Sequence, residues 1–335
     1  MEEHAREPSA RARGTRRAPP QAAELETMSS DRSAHTFPPH LVGLLVGLTL
    51  GWGFNWPAMK MALFEMAPMH FRTLCLLCGA AGLLTIARMN GLPVRVPRGQ
   101  WPRMVAIALV NMTGWNILAT YGIRLMASGR AAILGYTMPM WSVMLSIWLL
   151  KEPFTKRRAL GTALGCAGLL LLLGEEVQAV GRSPLGAAYM VGAALSWALG
   201  TVMMKRWPVS LPTSSFTGWQ MLIGVTPIAM IALTYEAGTF NPFALSLLPM
   251  LGTLYNLFVA FNFCYWAWTK IALVAPVGVA SLSVMMIPVV GVFSGMLVLG
   301  ESPSWQDYAA LLLVVGALAT VLLPPKETKT SRPAR

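Results

Sequence analysis

The 335-residue sequence predicts an all-α integral membrane protein of ten transmembrane helices, arranged as two inverted five-helix repeats. Three observations predict it. Charged residues make up 12% of the chain against 55% hydrophobic ones, whereas a soluble chain carries roughly a quarter charged residues. Apolar runs of ~20 residues, the length that crosses a bilayer core, recur from Leu41 to Leu323. The second group of five runs repeats residues of the first, and an odd number of spans per copy turns the second copy upside down in the membrane.

Taken in order, residues 1–40 are rich in Arg, Pro, Ala and Glu without apolar periodicity, so a disordered cytoplasmic tail is expected. The first 27 residues lack the apolar core and cleavage site of a secretory signal, and Met28, just ahead of the first span, is a candidate start beside Met1. The first repeat, 41–174, holds spans near 41–63, 68–87, 104–126, 129–150 and 158–174. The second, 175–324, holds spans near 184–204, 214–234, 247–269, 277–299 and 305–323, and residues 325–335 form a cytoplasmic C-terminal tail. With both termini inside, eleven Lys and Arg fall at inner loops and span ends against five outside, as the positive-inside rule requires. Lys60 and Lys205, ending the first and sixth spans, suit snorkelling to the headgroups.

The formal charge of +12 is scattered between apolar runs, which speaks against a nucleic-acid partner. All four cysteines lie inside apolar runs, so Cys75 and Cys78 read as packing rather than as a redox or zinc pair. The only histidine beyond residue 40 is His70, and no H-E-x-x-H, G-x-S-x-G or Walker loop occurs. Neither an enzyme nor a bound metal or cofactor is expected.

The repeat is specific in its spacing. Trp52 and Lys60 match Trp197 and Lys205 at an offset of 145, and Gly129, Ala131, Pro139 and Glu152 match Gly278, Ala280, Pro288 and Glu301 at 149. With the W-G-F-N-W-P-A-M-K of Trp52 to Lys60, the Lys151-Glu152 and Gly300-Glu301 span ends and the W-A-L-G of Trp197 to Gly200, the chain resembles the EamA branch of the drug/metabolite transporter superfamily over 41–323. The resemblance implies ten helices around a central cavity, export of amino acids or related metabolites, and residence in a bacterial inner membrane. His70-Phe71-Arg72-Thr73 departs from the Arg-Phe or Arg-Trp order of that family.

Candidate site residues follow from helical spacing. Trp52, Asn55, Trp56 and Met59 share one face of the first span, where an amide beside indole rings suits an amphipathic solute; core packing is the other reading. Asn111 and Trp115 in the third span, Tyr255, Asn262 and Trp266 in the eighth, and Tyr136, Trp197 and Ser281 extend the same theme. Together they suggest a chamber between spans one, three, four, six, eight and nine. Pro139 and Pro288, at matched mid-span positions, each free a carbonyl four residues earlier and serve as a hinge, a ligand contact or a plain kink. Glu152 and Glu301 end matched helices as gating ion-pair candidates or as solvated helix ends. Arg72 lies a few residues inside the second span, facing a pore, pairing with Glu65, or snorkelling.

The function expected is a secondary transporter of a small-molecule substrate, working by alternating access. A membrane sensor, a structural component and a flippase of lipid-linked precursors are the alternatives. All carboxylates between residues 41 and 324 fall at span ends or loops, so no midplane proton carrier is legible and exchange or facilitated diffusion stays open. Apart from the lipid bilayer, no partner or oligomeric state is encoded in a motif.

Overall fold

The computed structural model describes residues 39–151, 155–178, 184–236, 244–268 and 277–322. Both tails and Glu152 lie outside these described residues, as do the side chains of Pro139 and Ser281. Among the described residues every regular element is helical: α1 (Pro39–Ala62), α2 (Pro68–Met89), α3 (Arg98–Leu125), α4 (Ser128–Leu150), α5 (Lys156–Gln178), α6 (Pro184–Arg206), α7 (Thr213–Tyr235), α8 (Leu247–Trp268), α9 (Val277–Leu299) and α10 (Trp305–Leu322). Six of them, α2, α3, α4, α6, α7 and α8, are long and apolar enough to cross a membrane, while the described apolar stretches of α5, α9 and α10 are shorter.

Local chemistry sets the boundaries. Pro68 and Pro184 open α2 and α6, where a missing N–H costs nothing. Gly91 and Gly300, at φ +67° and +64°, follow the ends of α2 and α9 in the left-handed conformation that glycine adopts without a Cβ clash.

The polarity of the fold is that of a membrane protein. Trp148, Leu297 and Leu312 are 76%, 79% and 74% exposed, whereas Asn111, Asn116, Thr120 and Asn256 are buried. Exposed leucine and tryptophan suit a hydrocarbon solvent, and amides held inside have protein rather than lipid as their neighbours. The protein is therefore an all-α, multi-pass integral membrane protein.

Helix pairing follows the repeat. α2 runs against α7 and α5 against α10, each beside the helix at the same place in the other half. α6 meets α3 closely enough for Ser196 Oγ to donate to the Val110 carbonyl at 2.6 Å and Asn111 Nδ2 to the Trp197 carbonyl at 3.2 Å. α1 meets α8 in the corresponding way, with the Tyr255 hydroxyl donating to the Gly51 carbonyl at 2.9 Å.

Two departures from regular helix also match between the halves. α3 contains a π-helical stretch, Leu109–Gly114, and α8 contains another, Tyr255–Cys264. A π turn displaces carbonyls from the regular ladder, and at bilayer depth each must find a donor inside the protein. Asn116 Nδ2 donates to the Met112 carbonyl at 2.8 Å and Asn262 Nδ2 to the Leu257 carbonyl at 2.7 Å. The matched prolines do not behave alike. α4 is interrupted at Tyr136 and Thr137, with Pro139 in the first turn of its second segment, Met138–Leu150, whereas Pro288 sits inside the continuous α9.

Candidate functional site

A cavity of about 100 Å³ opens among α1, α2, α3, α4, α6 and α8. From α1 it takes Trp52, Asn55, Trp56 and Met59, the face that helical spacing singles out. Trp115 of α3, Tyr136 at the break in α4 and Trp197 of α6 complete its aromatic wall, with Phe261 and Tyr265 from α8.

The rings brace one another. Trp115 and Trp197 stand edge to face at 5.2 Å, Trp52 and Tyr265 at 5.6 Å, and Trp56 and Tyr136 at 6.3 Å. Each pair contributes about 0.5–1.5 kcal/mol beyond its burial. The repeat-matched Trp52 and Trp197 each pack on an aromatic side chain from the third helix of the opposite half. Gly135 and Gly291 leave room for the Trp56 indole, whose atoms would lie 2.8 and 3.2 Å from a Cβ added at either position.

Several expected cavity residues serve the helix packing instead. Asn111 bonds the Trp197 carbonyl, Tyr255 bonds the Gly51 carbonyl, and Asn262 repairs its own π turn while approaching Cys78 Sγ at 3.3 Å. Trp266 packs against Phe263 at 6.3 Å. None of the four lines the cavity. The physical reason is the backbone: each of the three polar groups satisfies a carbonyl that has no water to turn to. Ser281 belongs to α9, but its side chain lies outside the described residues, and Glu152 lies outside them altogether.

Arg72, like Phe261, Tyr265 and Met138, is a cavity residue that helical spacing alone did not single out. It is 3% exposed and lines the cavity. Its Nε donates to Thr120 Oγ1 at 2.6 Å, its Nη2 to Met59 Sδ, and its guanidinium carbon sits 5.2 and 5.5 Å from the Phe71 and Phe261 ring centres. Snorkelling and pairing with Glu65 are both corrected: Glu65 instead accepts from Ser246 N at 2.8 Å and from the Ser246 hydroxyl. The available signal was the rarity of an ionisable side chain inside a span.

One end of the helix bundle is held by carboxylates that cross between the halves. Glu301, after α9, accepts from Ser128 N at 2.7 Å, Ser128 Oγ at 3.0 Å and Gly129 N at 3.1 Å, thereby capping α4. Lys60 Nζ lies 3.5 Å from Glu301 and donates to the Met126 carbonyl at 2.6 Å, so it is held in the protein, correcting the snorkelling expectation. Glu236, after α7, accepts from Met69 N at 2.9 Å and His70 N at 3.2 Å at the start of α2, and from the Tyr121 hydroxyl at 3.3 Å. Glu65 does the same at the start of α8, and the two hydrogen bonds from Ser246 hold its carboxyl below the usual range. Arg130 grips Asp307 through Nε at 3.0 Å and Nη2 at 3.1 Å. Helix N-termini carry partial positive charge and orphan N–H groups, so carboxylates are stabilising there. At the opposite end the described contacts between the halves are neutral: Ser210 N to Gln100 Oε1 at 2.7 Å and Trp219 Nε1 to the Val94 carbonyl at 2.6 Å.

The family model described as "EamA-like transporter family" matches the chain twice, over residues 41–174 and 184–323. An uncharacterized transporter of Bacillus subtilis (strain 168), YoaV, is 27% identical over 273 residues, which is 81% of this chain and 92% of that one. A probable amino-acid metabolite efflux pump of Salmonella typhimurium is 24% identical over 84% of this chain and 94% of its own length. Its Escherichia coli (strain K12) counterpart is 23% identical over 80% and 89%. A crystal structure 20% identical in sequence superposes with a TM-score of 0.61, covering 84% of this chain and 96% of the other, which shows a shared fold.

Proposed function

The chain belongs to the EamA-like transporter family, a family of transporters and not of enzymes, and from that premise we propose that it exports amino acids or related small metabolites by alternating access. In this reading α1 to α10 are ten membrane spans in two inverted repeats, 41–174 and 175–324, embedded in a bacterial inner membrane with both termini in the cytoplasm. The observation that carries it is the aromatic cavity shared by both halves, one end of which is bolted by charged contacts between them.

The size of the cavity supports a small solute. A cavity of about 100 Å³ holds on the order of three waters at the ~30 Å³ each takes in the liquid, the scale of a small metabolite rather than of a nucleotide sugar. Its indole rings and the Asn55 amide suit a solute with both apolar and polar parts. The names of the Salmonella and Escherichia coli relatives support the amino-acid class.

The two ends of the bundle support a two-state cycle. Lys60 lies one turn beyond Trp56 on α1, so the Lys60–Glu301–Ser128 cluster forms a layer at one end of the cavity. In the N-inside orientation this is the outer gate, closed here, and Pro139 and Pro288 flank the segments that rearrange when it opens. Glu152, at the repeat position of Glu301, is the candidate for the inner gate.

Counterflow in proteoliposomes tests the proposal. Vesicles preloaded with one neutral, aromatic or sulfur-containing amino acid and given labelled substrate should accumulate label transiently, and Asn55→Ala should reduce that accumulation at least several-fold. Silence across the panel with folded protein, with and without a pH gradient, would overturn the amino-acid assignment.

A further inference from the structure

Arg72 is a cation buried inside a span. No carboxylate among the described residues pairs with it, and the groups it touches are the Thr120 hydroxyl, the Met59 thioether and the Phe71 and Phe261 rings. A guanidinium carries five N–H donors in a fixed planar fork. Here one is held by a hydroxyl and another by a sulfur, which is a weak acceptor. The Phe71 and Phe261 rings offer their faces to the charge, but a ring face accepts no in-plane pair of hydrogen bonds. Thr120 is itself tied, its hydroxyl donating to the Asn116 carbonyl at 2.5 Å, so the acceptor that orients Nε is fixed in turn. The fork is aimed, and among the described residues no hydrogen-bond partner is found for Nη1.

A second group in the same cavity has the opposite need. The side-chain oxygen of Asn55 is buried and, among the described residues, accepts no hydrogen bond. The site thus holds surplus donors at Arg72 and a surplus acceptor at Asn55, inside an aromatic wall.

We infer that this cavity recognises a carboxylate: Arg72 binds the carboxylate of an amphipathic solute in its fork, while the Asn55 oxygen takes a neighbouring N–H of the same solute. A carboxylate matches a guanidinium in shape, with two oxygens facing two parallel N–H groups. It also supplies the missing counter-charge, which a buried ion needs for its stability. The single cation among the described lining residues fits a solute whose acidic group carries one negative charge, not two. The inference rests on the transport reading and sharpens it, since export of amines, sugars or neutral drugs would leave Arg72 uncompensated.

Binding and transport are measured separately. The purified full chain is titrated with L-phenylalanine, L-leucine and L-methionine, each beside its amide and its des-amino acid, and binding is followed by quenching of the cavity indoles. Each acid is expected to bind at least tenfold more tightly than its amide. Arg72→Gln should abolish that preference. Asn55→Ala should weaken the amino acids and leave the des-amino acids unchanged. Acid and amide binding within twofold of each other, or no binding of any acid by folded wild-type protein, would overturn the inference. The wild-type comparison decides the matter even where Arg72→Gln does not fold. Counterflow then distinguishes the two readings. Acid-selective binding without exchange sinks transport and keeps the site, whereas exchange of acid and amide at equal rates sinks the site and keeps transport.

Discussion

Asn262 shows what a single polar side chain does inside this membrane protein. Its amide nitrogen donates to the Leu257 carbonyl at 2.7 Å, and its amide oxygen sits where a Cβ on Gly82 would be, 1.6 Å away. Glycine at 82 is therefore a notch that lets α2 and α8 meet around an amide. Asn262→Leu removes the amide donor to the Leu257 carbonyl, leaving it the long contact from Cys78 Sγ at 3.9 Å, and should destabilise the protein by about 1–3 kcal/mol, read as a lower thermal midpoint in detergent. Gly82→Ala should do the same by displacing the amide, and a midpoint unchanged in both variants would refute this role. The same amide-plus-aromatic spacing that puts the α1 face on the cavity therefore also marks polar groups of the third and eighth helices that bond backbone carbonyls. Asn55 and Asn262 present the same functional group, and only the π turn beside Asn262 decides that its hydrogen bonds go to the backbone.

At the scale of elements, the N-termini of α2, α4 and α8 are each capped by a carboxylate from the other half. Glu65 has the depressed pKa of such a cap, caused first by the Ser246 hydroxyl and then by the Ser246 amide. A carboxyl with a lower pKa in the folded state stabilises the fold fully above its unfolded value of 4.5 and loses that contribution as pH falls through the folded value. Wild-type protein should therefore lose stability on acidification below about pH 4.5 more steeply than Glu65→Gln. Parallel melting curves for the two across that range would remove the assignment. The acidic positions were legible as span ends, and Glu301 as one member of a repeated pair. Their targets were not, because a carboxylate 173 residues from Ser128 meets it only after α4 and α9 have packed.

For the whole molecule, the difference between the two ends of the bundle carries the expected behaviour. One end is joined by Lys60–Glu301, Arg130–Asp307 and the Glu236 cap; the other, among the described residues, by neutral contacts such as Gln100 with Ser210. Glu301→Ala removes both the α4 cap and the partner of Lys60, and should shift the population toward opening at that end. A cysteine at Met59, in a background without the native cysteines, should then react several-fold faster with a membrane-impermeant thiol reagent added outside intact cells. Equal rates with and without Glu301→Ala would exclude this cluster as the gate.

Composition and periodicity by themselves determined the solvent, the helical class and the two-repeat family of this chain, because hydrocarbon forbids unpaired backbone and leaves apolar helices of bilayer length as the response. The α1 face was equally local: Trp52, Asn55, Trp56 and Met59 share it by the 3.6-residue turn alone. Tertiary structure decided which polar groups face the cavity and which repair backbone, that Arg72 has no acid beside it among the described residues, and that Lys60 meets Glu301 across 241 residues. These depend on helices packed from opposite halves, and a contact across that distance has no periodicity from which to read it.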